Sequence, residues 1–139
     1  MGNGKSRERS FVDANIFLYA IQGHPEFGKT SKKVLKRIDE NEEAVTSVIT
    51  LAEVCWWLEK HKQISKIQEQ IKLILSIFNL NIVQITQEDF LNGAELIREL
   101  DIDFNDCLNL AVMRRLGIGK IYSNDSDFDK ANWVERVFD

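Results

Sequence analysis

The chain has 139 residues, 44% of them hydrophobic and 29% charged, with a formal net charge of −4. That length and balance suit one domain with its own hydrophobic core, and the acidic excess excludes a passive nucleic-acid binder held by a globally basic face. No apolar run approaches the roughly 20 residues that a membrane-spanning helix needs.

Residues 1–9 are polar and lack the apolar centre of a signal peptide, so they read as a flexible lead ahead of a domain over 10–139. Cys55 and Cys107 sit in apolar contexts and read as buried free thiols, which points to the cytoplasm. Only His24 and His61 accompany them, too few for a zinc site.

A short apolar strand is predicted over 11–13, with Asp13 where the pattern turns helical, and a helix over 14–20. Residues 26–41 suit a second helix, with Val34, Leu35 and Ile38 on one face. A strand over 44–46 follows, and Ser47 is placed to cap a helix through Lys60. A helix over 65–78 precedes the clearest strand, 81–85. Thr86 caps a helix over 87–100, with Asp89 three residues behind it. Asp103 caps the next, over 104–116, which Gly117 and Gly119 stop. A strand over 120–123 runs into the turn-rich residues 124–127, and a last strand is predicted over 134–138. Strands alternate with helices throughout. This is the pattern of an α/β domain whose central parallel sheet, of four to five short strands, is covered by helices on both faces.

Four acidic residues stand out against this frame. Asp13 follows a strand, where it serves equally as helix cap or as ligand at the carboxyl edge of the sheet. Glu53 has Ile49, Thr50, Trp56 and Trp57 as its helical neighbours, so its carboxylate needs a cationic partner. Asp106 lies one turn inside a nearly apolar helix. Asp103 and Asp106 have capping-box spacing, and Asp103 is the better cap. Asp125 follows the strand over 120–123, in a turn where Asp is also favoured locally; Asp127 and Asp129 read as turn and surface residues. Carboxylates that crowd together call for divalent cations, and oxygen-only donors suit Mg²⁺ or Mn²⁺. There is no glycine-rich phosphate loop, no GxSxG elbow and no catalytic histidine context. Metal-assisted phosphodiester hydrolysis is the chemistry these residues support. A phosphatase with two aspartates one residue apart after its first strand is disfavoured, because Asn15 occupies the second position.

In order and spacing, Val12-Asp13-Ala14-Asn15-Ile16, Glu53 within 47–54, Asn105-Asp106-Cys107-Leu108 and Ser123-Asn124-Asp125-Ser126-Asp127-Phe128 resemble the four acidic motifs of the PIN-domain family. The resemblance covers roughly residues 10–138 and is greatest to the small VapC-like ribonucleases of toxin–antitoxin pairs. It implies a metal-dependent endoribonuclease, with RNA as substrate and Mg²⁺ or Mn²⁺ as cofactor. Asp13, Glu53, Asp106 and Asp125 would form the metal-coordinating set, Asp13 and Asp106 most directly. Asn15, Thr50, Ser123 and Asp127 would support them. An antitoxin protein and a second copy of the chain are the implied partners, with Trp56, Trp57 and the helix over 67–78 offering apolar surface. Lys32, Lys33, Lys36, Lys60, Lys62, Arg114 and Arg115 are the candidates for RNA contact. The alternative keeps the fold without the chemistry, as a scaffold subunit of an RNA-processing assembly. Asn109 departs from the family, which is small or apolar there, and nothing in the sequence accounts for it.

Overall fold

The structure is a computed structural model that describes residues 8–139. The lead expected over residues 1–9 therefore lies mostly outside the described residues. Within the described part of that lead, the Arg9 guanidinium donates to the Leu116 carbonyl at 3.2 Å.

Five strands, β1 (Ser10–Val12), β2 (Ala44–Ser47), β3 (Leu80–Val83), β4 (Lys120–Tyr122) and β5 (Glu135–Val137), form one sheet in the order β3-β2-β1-β4-β5. Every pairing is parallel. Parallel neighbours require crossovers, which the helices supply: α1 (Ala14–Gln22), α2 (Gly28–Glu40), α3 (Val48–Lys60), α4 (Ile67–Leu75), α5 (Gln87–Leu100) and α6 (Phe104–Leu116).

Strand alternation divides the core into two layers. Phe11, Val45 and Ile121 point to one face, where Leu96 of α5 and Leu110 of α6 cover them. Val12, Ala44 and Tyr122 point to the other, against Phe17, Ile38, Val54 and Ile74 of α1 to α4. α6 has seven consecutive buried residues, from Cys107 to Met113. That accounts for its apolar sequence and buries Cys107; Cys55 is half-buried, and both thiols are free.

Several boundaries differ from the sequence expectation. The helix expected over 65–78 is shorter: a 3-10 turn, Ile64–Lys66, leads into α4, which stops at Leu75. The last strand contracts to Glu135–Val137. Ser47 caps α3 as expected, its hydroxyl accepting from the Ile49 and Thr50 amides. Thr86 and Asp89 form a reciprocal capping box on α5. Asp103 does not behave as expected: it occupies the N-cap position of α6, but its side chain makes no cap hydrogen bond.

Candidate active site

β1 and β4 are central neighbours in register, with Val12 opposite Tyr122. The residues that follow them, Asp13 and Ser123, therefore emerge side by side at the carboxyl edge of the sheet, where open α/β sheets bind ligands. The Asp13 amide donates to the Tyr122 carbonyl at 3.0 Å. Ser123 Oγ donates to Asp13 Oδ2 at 2.6 Å, and the other oxygen, Oδ1, accepts from the Ala14 amide at 2.8 Å. The two sequence readings of Asp13 are thus compatible, since one oxygen caps α1 while the other is held by Ser123.

Around this pair lies a cavity of about 620 Å³ lined by Asp13, Glu53, Asp103, Asp106 and Asp125. All four acids singled out in the sequence reach it, from four separate segments of the chain. Asp103, assigned there to capping, is the fifth. Leu18, Ile49, Ala52, Trp56 and Trp57 make the apolar part of the wall. Among the described residues, no lysine, arginine or histidine lines the cavity.

Like charges in a partly dry cavity hold protons. Burial pushes Asp13 up to about 6, against the lowering effect of its Ser123 and Ala14 hydrogen bonds. Burial, then the neighbouring Asp13, lift Glu53 to about 7. Asp106 rises furthest, to about 8, through burial and the combined charge of Asp13, Glu53, Asp125 and Asp103. These three groups therefore share one electrostatic field.

The supporting residues separate into two sets. Asn15 lines the cavity, its Nδ2 donating to Ser123 Oγ at 3.4 Å. Ser123 Oγ in turn accepts from the Asp125 amide at 3.0 Å, which ties the two acidic loops together. Asn105, not singled out as a site residue in the sequence, donates to Glu53 Oε2 at 3.4 Å and lines the same cavity. Its position next to Asp106 was the only available signal. Thr50 is fully buried and accepts from Asn109 Nδ2 at 3.3 Å, so it acts on the packing of α3 against α6. Asn109 is thereby explained: Ser47 Oγ also donates to its Oδ1 at 2.5 Å, making it the bridge between the β2–α3 junction and α6. Asp127 pairs with Lys130 at 3.7 Å and donates its amide to Asp125 Oδ1 at 2.9 Å; its carboxylate is not part of the cavity wall.

The basic candidates fare differently. Arg115 forms a two-point hydrogen-bonded pair with the buried Asp89, at 3.0 and 2.8 Å, and also donates to the Gln84 carbonyl. Arg114 lies over the Trp133 ring at 4.8 Å. Both are at the far end of α6 from Asp106. Lys60 is over the Trp56 ring, at 4.7 Å, beside the cavity.

The PIN domain family profile matches residues 10–134, so this chain belongs to the PIN domain family. Among solved structures, VapC20 of Mycobacterium tuberculosis, described as a sarcin-ricin loop cleaving toxin, is similar over 93% of this chain and 98% of its own. Its TM-score is 0.78 at 23% identity. The VapBC2 structure of Rickettsia felis, bound to a promoter DNA fragment, matches over 94% of this chain and 99% of its own, with TM-score 0.74 and 23% identity. A toxin–antitoxin complex from Klebsiella pneumoniae follows at TM-score 0.68 and 21% identity, over 91% and 95% of the two chains. No curated protein sequence matches the chain. Among the described residues no helix is long and apolar enough to cross a membrane.

Proposed function

We propose that this chain is a divalent-metal-dependent endoribonuclease, the toxin component of a toxin–antitoxin pair. The observation that carries the reading is the convergence of Asp13, Glu53, Asp106 and Asp125, from four segments, on one cavity at the carboxyl edge of a parallel sheet. The family and its toxin neighbours agree with it.

The donor set fits Mg²⁺ or Mn²⁺: it is all carboxylate oxygen, and burial, then the neighbouring acids, raise the proton affinity of Glu53 and Asp106, a charge penalty that a bound cation would relieve. Among the described residues no group of three or more His, Cys, Asp or Glu side chains stands together in a way that could hold a metal ion, so the protein would supply only part of the coordination. Mg²⁺ is commonly held by one or two carboxylates, completed by water and substrate phosphate oxygens. Asp13 and Asp106 would hold the cation most directly, with Glu53 and Asp125 beside them. A cation bound there supplies Lewis-acid polarisation of a phosphoryl oxygen and lowers the pKa of an attacking water. The protein's own contribution is placement. Ser123 fixes the orientation of Asp13, Asn15 fixes Ser123, and Asn105 steadies Glu53.

The reading of a protein partner is supported by apolar side chains left in water on and just beyond α4, where Leu73, Leu75 and Phe78 are exposed. The similar structure from Klebsiella pneumoniae is a toxin–antitoxin complex, and an antitoxin is the partner proposed for this surface.

The test is cleavage of a mixed single-stranded RNA pool with Mg²⁺, with Mn²⁺ and with EDTA. The wild-type chain is expected to cut with either metal and not with EDTA. Asp106→Asn, shown folded by its thermal midpoint, is expected to lose at least about 100-fold in rate. A wild-type chain that cuts no RNA and is not stabilised by Mg²⁺ would favour the scaffold reading, whereas stabilisation that Asp106→Asn abolishes would point to a substrate outside the pool.

A further inference from the structure

Besides its carboxylates, the cavity has an apolar wall of Leu18, Ile49, Ala52, Trp56 and Trp57. Part of that wall is ordinary packing surface, since Leu18 packs against the core. Trp57 stacks on His61 at 3.9 Å and packs against the core layer beneath α3. Trp56 differs. It lines the cavity, yet 59% of its surface is exposed. An indole left this open beside a polar site has no packing role that explains it.

Its spacing from the acids is informative. Trp56 stands one helical turn beyond Glu53 on α3, so their Cβ atoms are about 5–6 Å apart. That is the scale on which a nucleotide separates its phosphate from its base. Lys60, one further turn along, places Nζ 4.7 Å from the indole centroid. The row Glu53, Trp56, Lys60 thus presents a carboxylate, an aromatic plane and a cation in succession along one helix face. Lys60 lies over one face of the indole, and with 59% of Trp56 exposed the ring keeps surface free for stacking.

We propose that Trp56 is the stacking platform for an unpaired RNA base next to the phosphodiester held at the carboxylates, a role that rests on the ribonuclease reading. Trp56 is then a substrate-positioning residue. It favours single-stranded RNA, because a base in a duplex is already stacked and cannot be offered to an indole. It selects weakly among the four bases, because each has a π face. Lys60 lies where the next phosphate along the strand would pass.

Two measurements test this, one of them independent of cleavage. The first is the affinity of the Asp106→Asn chain with Mg²⁺ for a short mixed-sequence single-stranded RNA, compared with the same chain carrying Trp56→Ala or Trp56→Phe. Because Trp56 is exposed, these variants are expected to keep the thermal midpoint. Trp56→Ala is expected to weaken binding by about 5- to 100-fold, and Trp56→Phe by less. The second is cleavage by otherwise wild-type chains of the same RNA with one abasic residue placed at each position in turn. Trp56→Ala is expected to raise KM with kcat little changed. At one position beside the cut, removal of the base should erase the difference between wild type and Trp56→Ala. Unchanged RNA affinity in Trp56→Ala, no RNA binding even with Trp56 present, or equal losses at every abasic position would each overturn the proposal. So would a dimer that Trp56→Ala dissociates without altering RNA affinity, which would assign the indole to a protein contact. If the wild-type chain cuts no RNA, the ribonuclease reading fails, while the binding comparison still decides whether Trp56 holds a base.

Discussion

Ser123 Oγ donates a 2.6 Å hydrogen bond to Asp13 Oδ2 across the β1–β4 seam, joining residues 110 positions apart in the chain. The same hydroxyl accepts from the Asp125 amide, so a single side chain fixes two of the acidic loops. Ser123→Ala is therefore expected to lower both the affinity for Mg²⁺ and the cleavage rate by about 10- to 100-fold. Metal titration followed by thermal midpoint, alongside kcat, checks this. A variant with normal metal affinity would assign Ser123 to the fold alone.

The acidic cluster sets a pH dependence on the metal-free chain. Asp13, Glu53 and Asp106 hold protons up to about 6, 7 and 8 when folded, whereas unfolded carboxyls release theirs near 4. Between those limits the folded chain binds more protons than the unfolded one. Its stability therefore falls as pH rises from about 4 through about 8. In EDTA, the thermal midpoint is expected to drop across that range. Added Mg²⁺ should raise it more at pH 8 than at pH 6, because the cation takes the place of the protons. A flat profile in EDTA would contradict this.

Asp89 behaves in the opposite sense. Burial alone would push its carboxyl up, but the Arg115 hydrogen bonds, with those from Thr86, hold it below the ordinary value. This pair adds stability that is fully present above the unfolded carboxyl's pKa and is lost as pH falls through the lowered one. Arg115→Ala leaves a buried carboxylate without its cation and is expected to cost about 2–3 kcal/mol at neutral pH. Urea unfolding at pH 7 measures the loss. Affinity for RNA should not change, since Arg115 is committed to Asp89 and Gln84.

Asn109 is buried in α6 and joined to Ser47 and Thr50. Asn109→Leu keeps the volume but leaves the buried Ser47 hydroxyl without its acceptor, at an expected cost of about 1–3 kcal/mol. Denaturant unfolding checks this. A neutral outcome would mean that the hydroxyl finds another partner.

The chain's own pattern determined a good deal. Alternating apolar strands and amphipathic helices, with Ser47, Thr86, Gly23 and Gly117 at helix ends, define the α/β order, because these signals act within a few residues of one another. Asp13, Glu53, Asp106 and Asp125 were legible as candidates because each carries an acid into an apolar stretch or past a strand end. Tertiary structure decided how they are used. Asp103 has the sequence of a cap, yet its carboxylate lines the cavity, since nothing local distinguishes a cap that bonds its own helix from one that does not. Asp127 shares Asp125's turn but pairs with Lys130. Arg115 has the look of a surface cation and proves to hold α6 against α5. Asn105 and Asn109 had no identifiable partners until α3 and α6 met. In each case the partner is remote in the chain or the choice lies between two chemically equal neighbours. The register of β1 with β4 and the packing of α6 on α3 and α5 resolve it.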